Sequence, residues 1–290
     1  MTQDSPRTPS SSGASETART QRTEVRWSTH TRDDVTIECG SVGEGYPVVL
    51  LPSLGRGAQD FAEVAQHLAA DGFRVLMPQP RGIGRSVGPM EQVTMSDLAA
   101  DVALVMDALL DEPAVVVGHA FGSQPARMLA VERTDLVRGL VLAAASAGKM
   151  PPGAAEAPFS RLRAEIDGSG DPSLPEEERV RCLQAAFFAP GHDPRVWLDG
   201  WSWPTHEIQA HARRTTDVDA YFEAGGVPVL DLQAEHDAVV IPGVLRPLLG
   251  ERVSVQVVRD AGHALLPEQP RAVSEAVASY ARALLTADRP

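Results

Sequence analysis

The chain predicts an α/β protein with a mostly parallel central sheet, helices on both faces and an inserted helical lid. Three observations carry this prediction. Short apolar, β-branched runs alternate with segments whose apolar residues recur at helical spacing, as buried parallel strands and their covering helices require. Gly118-His119-Ala120-Phe121-Gly122 joins one such run to a helical segment through small residues that permit a tight strand-to-helix turn. The alternation then stops from Gly148 to Gly226 and resumes at Val227. That interruption reads as the lid.

Residues 1–23 are rich in Ser, Thr, Pro and Arg, and burial there cannot offset the entropy of ordering, which predicts a disordered tail. No apolar core of a secretory signal stands in it, and no later run has membrane-spanning length and apolarity. A soluble, cytoplasmic protein is expected. Segments 24–30 and 35–42, with Arg32-Asp33-Asp34 between them, predict an antiparallel edge hairpin. Residues 47–51 predict a buried strand, 59–70 a helix presenting Phe61, Val64, Ala65 and Leu68 on one face, and 73–77 the next strand. Leu98, Val102, Val105, Met106 and Leu109 give 95–110 helical spacing, with Ser96 and Asp97 as capping candidates. After the strand at 114–117 and its turn come strands at 137–145, 227–233 and 252–258 and a closing helix at 271–285. The expected organisation is therefore tail 1–23, first core part 24–147, lid 148–226 and second core part 227–290.

A length of 290 residues suffices for one large α/β domain, and 43% hydrophobic with 22% charged residues is ordinary for a soluble globular protein. The formal charge of −13 disfavours nucleic acid as a partner. Cys39 and Cys182 match no metal-ligand spacing and read as inert thiols in a reducing compartment. His206 and His211 stand five apart, off the i, i+4 spacing of helical zinc ligands, so no metal is expected. Gly82-Ile83-Gly84 lacks the context of a dinucleotide site, and no motif calls for a cofactor. Residues 81–86 are expected to stabilise a turn.

Taken together, the 118–122 turn, the Arg81-Gly82-Ile83-Gly84-Arg85-Ser86 turn and the terminal Asp260-Ala261-Gly262-His263-Ala264 make residues 24–285 resemble the α/β-hydrolase superfamily. The resemblance implies a nucleophile on the G-x-S-x-G elbow, then an acid, then a histidine in chain order. The matching positions are Ala120, Asp237 and His263. Alanine stands where the nucleophile is expected, and a methyl group cannot attack a carbonyl. No Asp or Glu lies between Leu136 and Ala155, where some members carry the acid, which favours Asp237, with Glu235 in reserve. The resemblance also implies an oxyanion hole from the amides of Phe121 and Leu54, although Pro52-Ser53 replaces the usual His-Gly before the latter.

Other candidates are weaker. His119 reads as a packed elbow residue, Ser123 as pointing away, Ser53 and Ser146 as strand-end serines able to face the site, and Cys182 as lid packing. Of fourteen aromatic residues eight fall in the lid: Phe159, Phe187, Phe188, Trp197, Trp201, Trp203, Tyr221 and Phe222. With Trp197, Trp201 and Trp203 as substrate contacts, the ligand is expected to be a small hydrophobic or aromatic molecule; Arg213 and Arg214 are either its polar handles or solvated charges. Three functions compete. The first is a non-covalent enzyme, of lyase or cofactor-free oxygenase type, in which Asp237 holds His263 as general base. The second is an esterase-like hydrolase with Ala120 in place of serine. The third is a silent small-molecule binding protein, which needs neither Asp237 nor His263. A hydrolase of a small ester-like or carbonyl substrate is the simplest classification.

Overall fold

The computed structural model describes residues 23–150 and 158–287. Residues 1–22 of the expected tail lie outside the described residues, as does the side chain of Phe159. Thr23, at the edge of that tail, exchanges two hydrogen bonds with the Gln66 amide, at 2.9 and 2.8 Å.

Among the described residues eight strands form one sheet: β1 (Arg26–Arg32), β2 (Val35–Val42), β3 (Tyr46–Leu51), β4 (Phe73–Pro78), β5 (Ala114–His119), β6 (Val137–Ala143), β7 (Val229–Ala234) and β8 (Val253–Val258), in the order β1-β2-β4-β3-β5-β6-β7-β8. The pairings β1·β2 and β2·β4 are antiparallel and all others are parallel. Arg32 pairs with Val35 across a two-residue turn, where Asp33 adopts φ 54°, a conformation that aspartate tolerates better than most residues. The expected edge hairpin is there, and the later strands begin or end within two residues of their expected bounds.

Among the described residues ten α-helices complete the fold: α1 (Ala62–Ala70), α2 (Met95–Leu109), α3 (Ser123–Glu132), α4 (Pro158–Arg161), α5 (Arg163–Gly170), α6 (Glu176–Ala186), α7 (Trp203–Thr215), α8 (Leu245–Leu249), α9 (Leu265–Glu268) and α10 (Pro270–Ala287). The N-cap of α2 is Thr94 rather than Ser96. Its hydroxyl accepts from the Asp97 amide while the Asp97 carboxylate accepts from the Thr94 amide, a reciprocal capping box. Ser96 instead bonds Glu132 across to α3, at 2.5 Å.

Strand alternation explains the core. In β5, Ala114 and Val116 pack on one face while Val115 and Val117 pack on the other, and β3 divides Val49 and Leu51 from Val48 and Leu50 in the same way. Because helices cover both faces, every residue of β5 is buried. The helical insertion between β6 and β7 closes a third cluster, in which Leu183, Phe187, Phe188 and Trp197 pack on Ala264 from the loop after β8. Among the described residues no helix is long and apolar enough to cross a membrane.

The Arg81–Ser86 turn is held from below. Arg81 donates twice to Asp101 of α2, at 2.7 and 2.9 Å, and once to the Pro89 carbonyl, while its own carbonyl accepts from Thr205 of α7. Both charged side chains are buried, so removing one partner strands the other in a low-dielectric interior. Arg81→Leu is expected to cost about 3 kcal/mol in urea unfolding, with most of it recovered in Arg81→Leu/Asp101→Leu. A double variant no more stable than the single would contradict this account.

Candidate active site

The turn after β5 is set by its glycines and by one strained alanine. Ala120 adopts φ 48°, the left-handed region that a Cβ makes costly. A Cβ on Gly118 would stand 2.5 Å from the Gly122 carbonyl oxygen and from Ser123, and one on Gly122 would run into the carbonyls of Leu51 and Pro52. Bare backbone at 118 and 122 therefore lets the turn close against the loop after β3. Leu54 of that loop and Phe121 of the turn consequently line the same cavity as Ala120. Ser123 points away, its hydroxyl donating to the Ala120 carbonyl at 2.6 Å.

Asp237 and His263 meet beside this turn. In the loop after β7, Asp237 Oδ1 accepts from the amides of Val239 and Val240, at 2.8 and 3.0 Å, which fixes the carboxylate. His263 Nδ1 lies 3.0 and 3.2 Å from its two oxygens. A carboxylate only accepts, so Nδ1 carries a proton, and in the neutral ring the lone pair is on Nε2. Both side chains are 7% exposed. Glu235, the reserve acid, is occupied by Arg259 and the Asp260 amide.

The His263 loop rests on the insertion. Glu268 accepts from the Gly262 amide at 2.7 Å and from the Ala189 amide at 2.6 Å, while the Ala264 amide donates to the Phe187 carbonyl. A Cβ on Gly262 would stand 2.5 Å from that same carbonyl oxygen, so the two backbones touch. Phe187 stacks on the His263 ring with centroids 5.5 Å apart. His119 donates from Nε2 to the His263 carbonyl, and burial, reinforced by nearby His263, pushes its pKa down to about 3. It stays neutral and packed.

The cavity above Ala120 encloses about 700 Å³, part of it open to solvent, and Phe187, Trp197, Trp201 and His263 line it. Trp203 does not line it: that ring is half exposed, stacks on His206 at 4.9 Å and faces a neighbouring cavity. Ser53 and Ser146 reach the cavity, but the described hydrogen bonds pair neither with His263; Ser146 Oγ accepts from the Gly148 amide. Cys182 packs at Gly168, its thiol pushed up chiefly by burial, and Cys39 is buried with its thiol pushed up to about 12. Among the described residues no group of His, Cys, Asp or Glu could hold a metal ion.

Four supports were not singled out from the sequence. Glu268 clamps the histidine loop. Arg56 is clasped by Asp60 and lies over the rings of Trp197 and Trp201, at 4.8 and 4.7 Å from their centroids, donating also to the Trp197 and Asp199 carbonyls. Gln209 of α7 accepts from the Gly55 amide at 2.7 Å and so holds the loop that carries Leu54. Arg127 of α3 donates to the carbonyls of Ser123, Ser146 and Ala147. Glu268, Gln209 and Arg127 form no local motif, because each acts across large sequence distance or on backbone atoms, and of the partners of Arg56 only Asp60 is close in sequence.

Comparison with known proteins agrees with this fold. The family model for the alpha/beta hydrolase fold matches residues 46–270. The chain is 29% identical over 205 residues, 68% of its length and 76% of the relative's, to a protein of Variovorax paradoxus (strain S110) described as the carbamate hydrolase RutD. It is 32% identical over 102 residues, 35% of each chain, to a soluble epoxide hydrolase of Corynebacterium sp. (strain C12). The esterase RhEst1 of Rhodococcus sp. ECU1013 superposes with TM-score 0.72 at 23% identity, covering 90% of this chain and 99% of that one, a likeness of fold.

A second cavity, of about 440 Å³ with part open to solvent, takes in both Asp237 and Asp231 of β7. Burial pushes the Asp231 carboxyl up to about 6, against one opposing hydrogen bond from the Gln233 amide. The folded state thus holds a proton that the unfolded chain releases near the ordinary aspartate value, and stability falls as pH rises from about 4 to about 6. Asp231→Asn is expected to gain on the order of 2 kcal/mol over the parent at neutral pH and almost nothing at about pH 4. Urea midpoints at the two pH values test this, and an equal difference at both would contradict it.

Proposed function

Because the chain belongs to the alpha/beta hydrolase fold family, we propose that it hydrolyses a small hydrophobic ester-like or carbonyl substrate, with His263, held by Asp237, as general base. The observation that carries this reading is the buried Asp237–His263 pair opening onto the cavity over Ala120. The relatives described as carbamate, epoxide and ester hydrolases support the reaction class.

With Nδ1 donating to Asp237, the Nε2 lone pair of His263 accepts a proton from water. The water oxygen bonds to the substrate carbonyl carbon, and the carbonyl π electrons move to oxygen. The amides of Phe121 and Leu54 are assigned to that oxyanion. Asp237 stabilises the imidazolium, which returns its proton to the leaving oxygen as the carbonyl reforms and the C–O bond breaks. Ala120 takes no covalent part; its methyl leaves room for the water. Without a serine, turnover is expected far below that of an intact triad, for which losing the nucleophile costs on the order of a millionfold. The alanine also favours a second reading, in which the same base removes a proton from substrate carbon in a lyase or cofactor-free oxygenase reaction. A purely binding role leaves the buried acid–base pair without a purpose.

The test is hydrolysis of a short-chain aryl ester by the parent and by Ala120→Ser, each with and without His263→Ala. Slow parental turnover is expected to fall at least about a hundredfold on loss of His263. Ala120→Ser is expected to raise turnover by about a hundredfold or more, again only with His263 present. Turnover indifferent to His263 in both backgrounds would overturn the proposal.

A further inference from the structure

Phe121 borders two spaces. It lines the cavity over Ala120, and it also lines a separate cavity of about 420 Å³, part of it open to solvent. Among the described residues it alone lines both. Its side chain is buried in the same core cluster as Ile37, Leu51, Leu98 and Val102, all of which line the separate cavity. The backbone beneath the ring has little freedom, because Ala120 before it is left-handed and Gly122 after it admits the carbonyls of Leu51 and Pro52. Moving the ring aside therefore takes a rotamer change inside packed core rather than a shift of the turn.

The separate cavity offers apolar surface and no free charge. Pro78, Pro80 and Pro125 extend its walls, and Asp101, its one ionisable lining residue, gives both oxygens to Arg81. Gln79 and Gln209 are neutral, and the side-chain oxygen of each accepts from a backbone amide, that of Ala58 and that of Gly55. Apolar cavities take hydrocarbon readily, and each methylene moved into one from water improves affinity about fourfold. Past Leu54, Ile166 and His206 the dyad cavity meets a space lined also by Arg163, Asp167 and Asp171, where a hydrocarbon chain would strip water from charged groups. The dry continuation of the dyad cavity thus lies behind Phe121.

We propose that Phe121 is a specificity-determining partition: its ring closes the dyad cavity against the apolar cavity behind it and so restricts the substrate to one with a short or compact apolar group. The inference rests on the reading of the His263 cavity as the substrate site and narrows its substrate class. Phe121 acts here through its ring, separately from the oxyanion role assigned to its amide. An unbranched chain that passes the partition lies along Leu98 and Val102.

The test is calorimetric titration of the full chain with 2-hexanone and 2-decanone, neutral carbonyl compounds that differ by four methylenes. The parent is expected to bind the two within about threefold. Phe121→Ala is expected to bind 2-decanone at least about thirtyfold more tightly than 2-hexanone, and Phe121→Leu, which keeps apolar packing under the turn, to show a smaller gain of the same sign. Val102→Phe, which fills the separate cavity from α2, is expected to cancel the gain when added to either variant and to leave the parent within about twofold. Equal chain-length preference in the parent and both Phe121 variants, a gain that survives Val102→Phe, or no binding of either ketone would overturn the proposal. Turnover of aryl hexanoate and decanoate esters by the same variants separates the two claims. A gain in ketone binding without His263-dependent turnover would remove the hydrolase reading and leave the partition, whereas His263-dependent turnover without any such gain would remove only the partition.

Discussion

The rest of the site depends on the hydrogen bond between His263 Nδ1 and the Asp237 carboxylate. Burying a carboxylate is costly unless its lone pairs are occupied, and here the imidazole and the amides of Val239 and Val240 occupy them. The pairing imposes one tautomer and one ring orientation, so the free Nε2 lone pair faces the cavity rather than a wall. That geometry in turn needs the His263 loop to hold still. Glu268, itself buried, bridges that loop to the insertion, and the close backbone approach at Gly262 seats one on the other. The insertion therefore holds the His263 loop as well as roofing the cavity.

The turn at Ala120 keeps a strained backbone around an apolar side chain. A left-handed alanine costs on the order of 1 kcal/mol and persists only where its surroundings over-determine it. Gly118 and Gly122 supply that constraint by admitting the neighbouring backbone, including the loop after β3. Gln209 holds that loop from the insertion side. The turn thus depends on packing between three segments and not on the side chain of Ala120.

Much of the fold was legible because periodicity reports burial directly. A run such as Ala114-Val115-Val116-Val117 can only be covered on both faces, and the Gly118/Gly122 spacing marks a turn that few other backbones accept. Asp237 and His263 were legible through chain order after the resemblance, and the structure brings them together. Of the two α2 capping candidates Asp97 takes part in the capping box but Ser96 does not, because Ser96 and Thr94 both suit capping chemistry and local composition does not say which has the extended backbone. Trp197, Trp201 and Trp203 look equivalent in a proline-punctuated stretch without a clear period. Only the start of α7 after Ser202 separates the first two from the third, which turns outward. Glu268 was invisible for another reason: its partners are backbone amides, which leave no side-chain pattern. Arg56 shows only its spacing to Asp60, which says nothing of the Trp197 and Trp201 rings that it covers.

The most direct measurement follows the intact protein by mass spectrometry while the unmodified chain turns over a short-chain aryl ester in water enriched in heavy oxygen. A His263-activated water predicts a protein mass that never changes, heavy oxygen in the acid product, and loss of both turnover and label incorporation in His263→Ala. An acylated protein during turnover, or label incorporation unaffected by loss of His263, would contradict it.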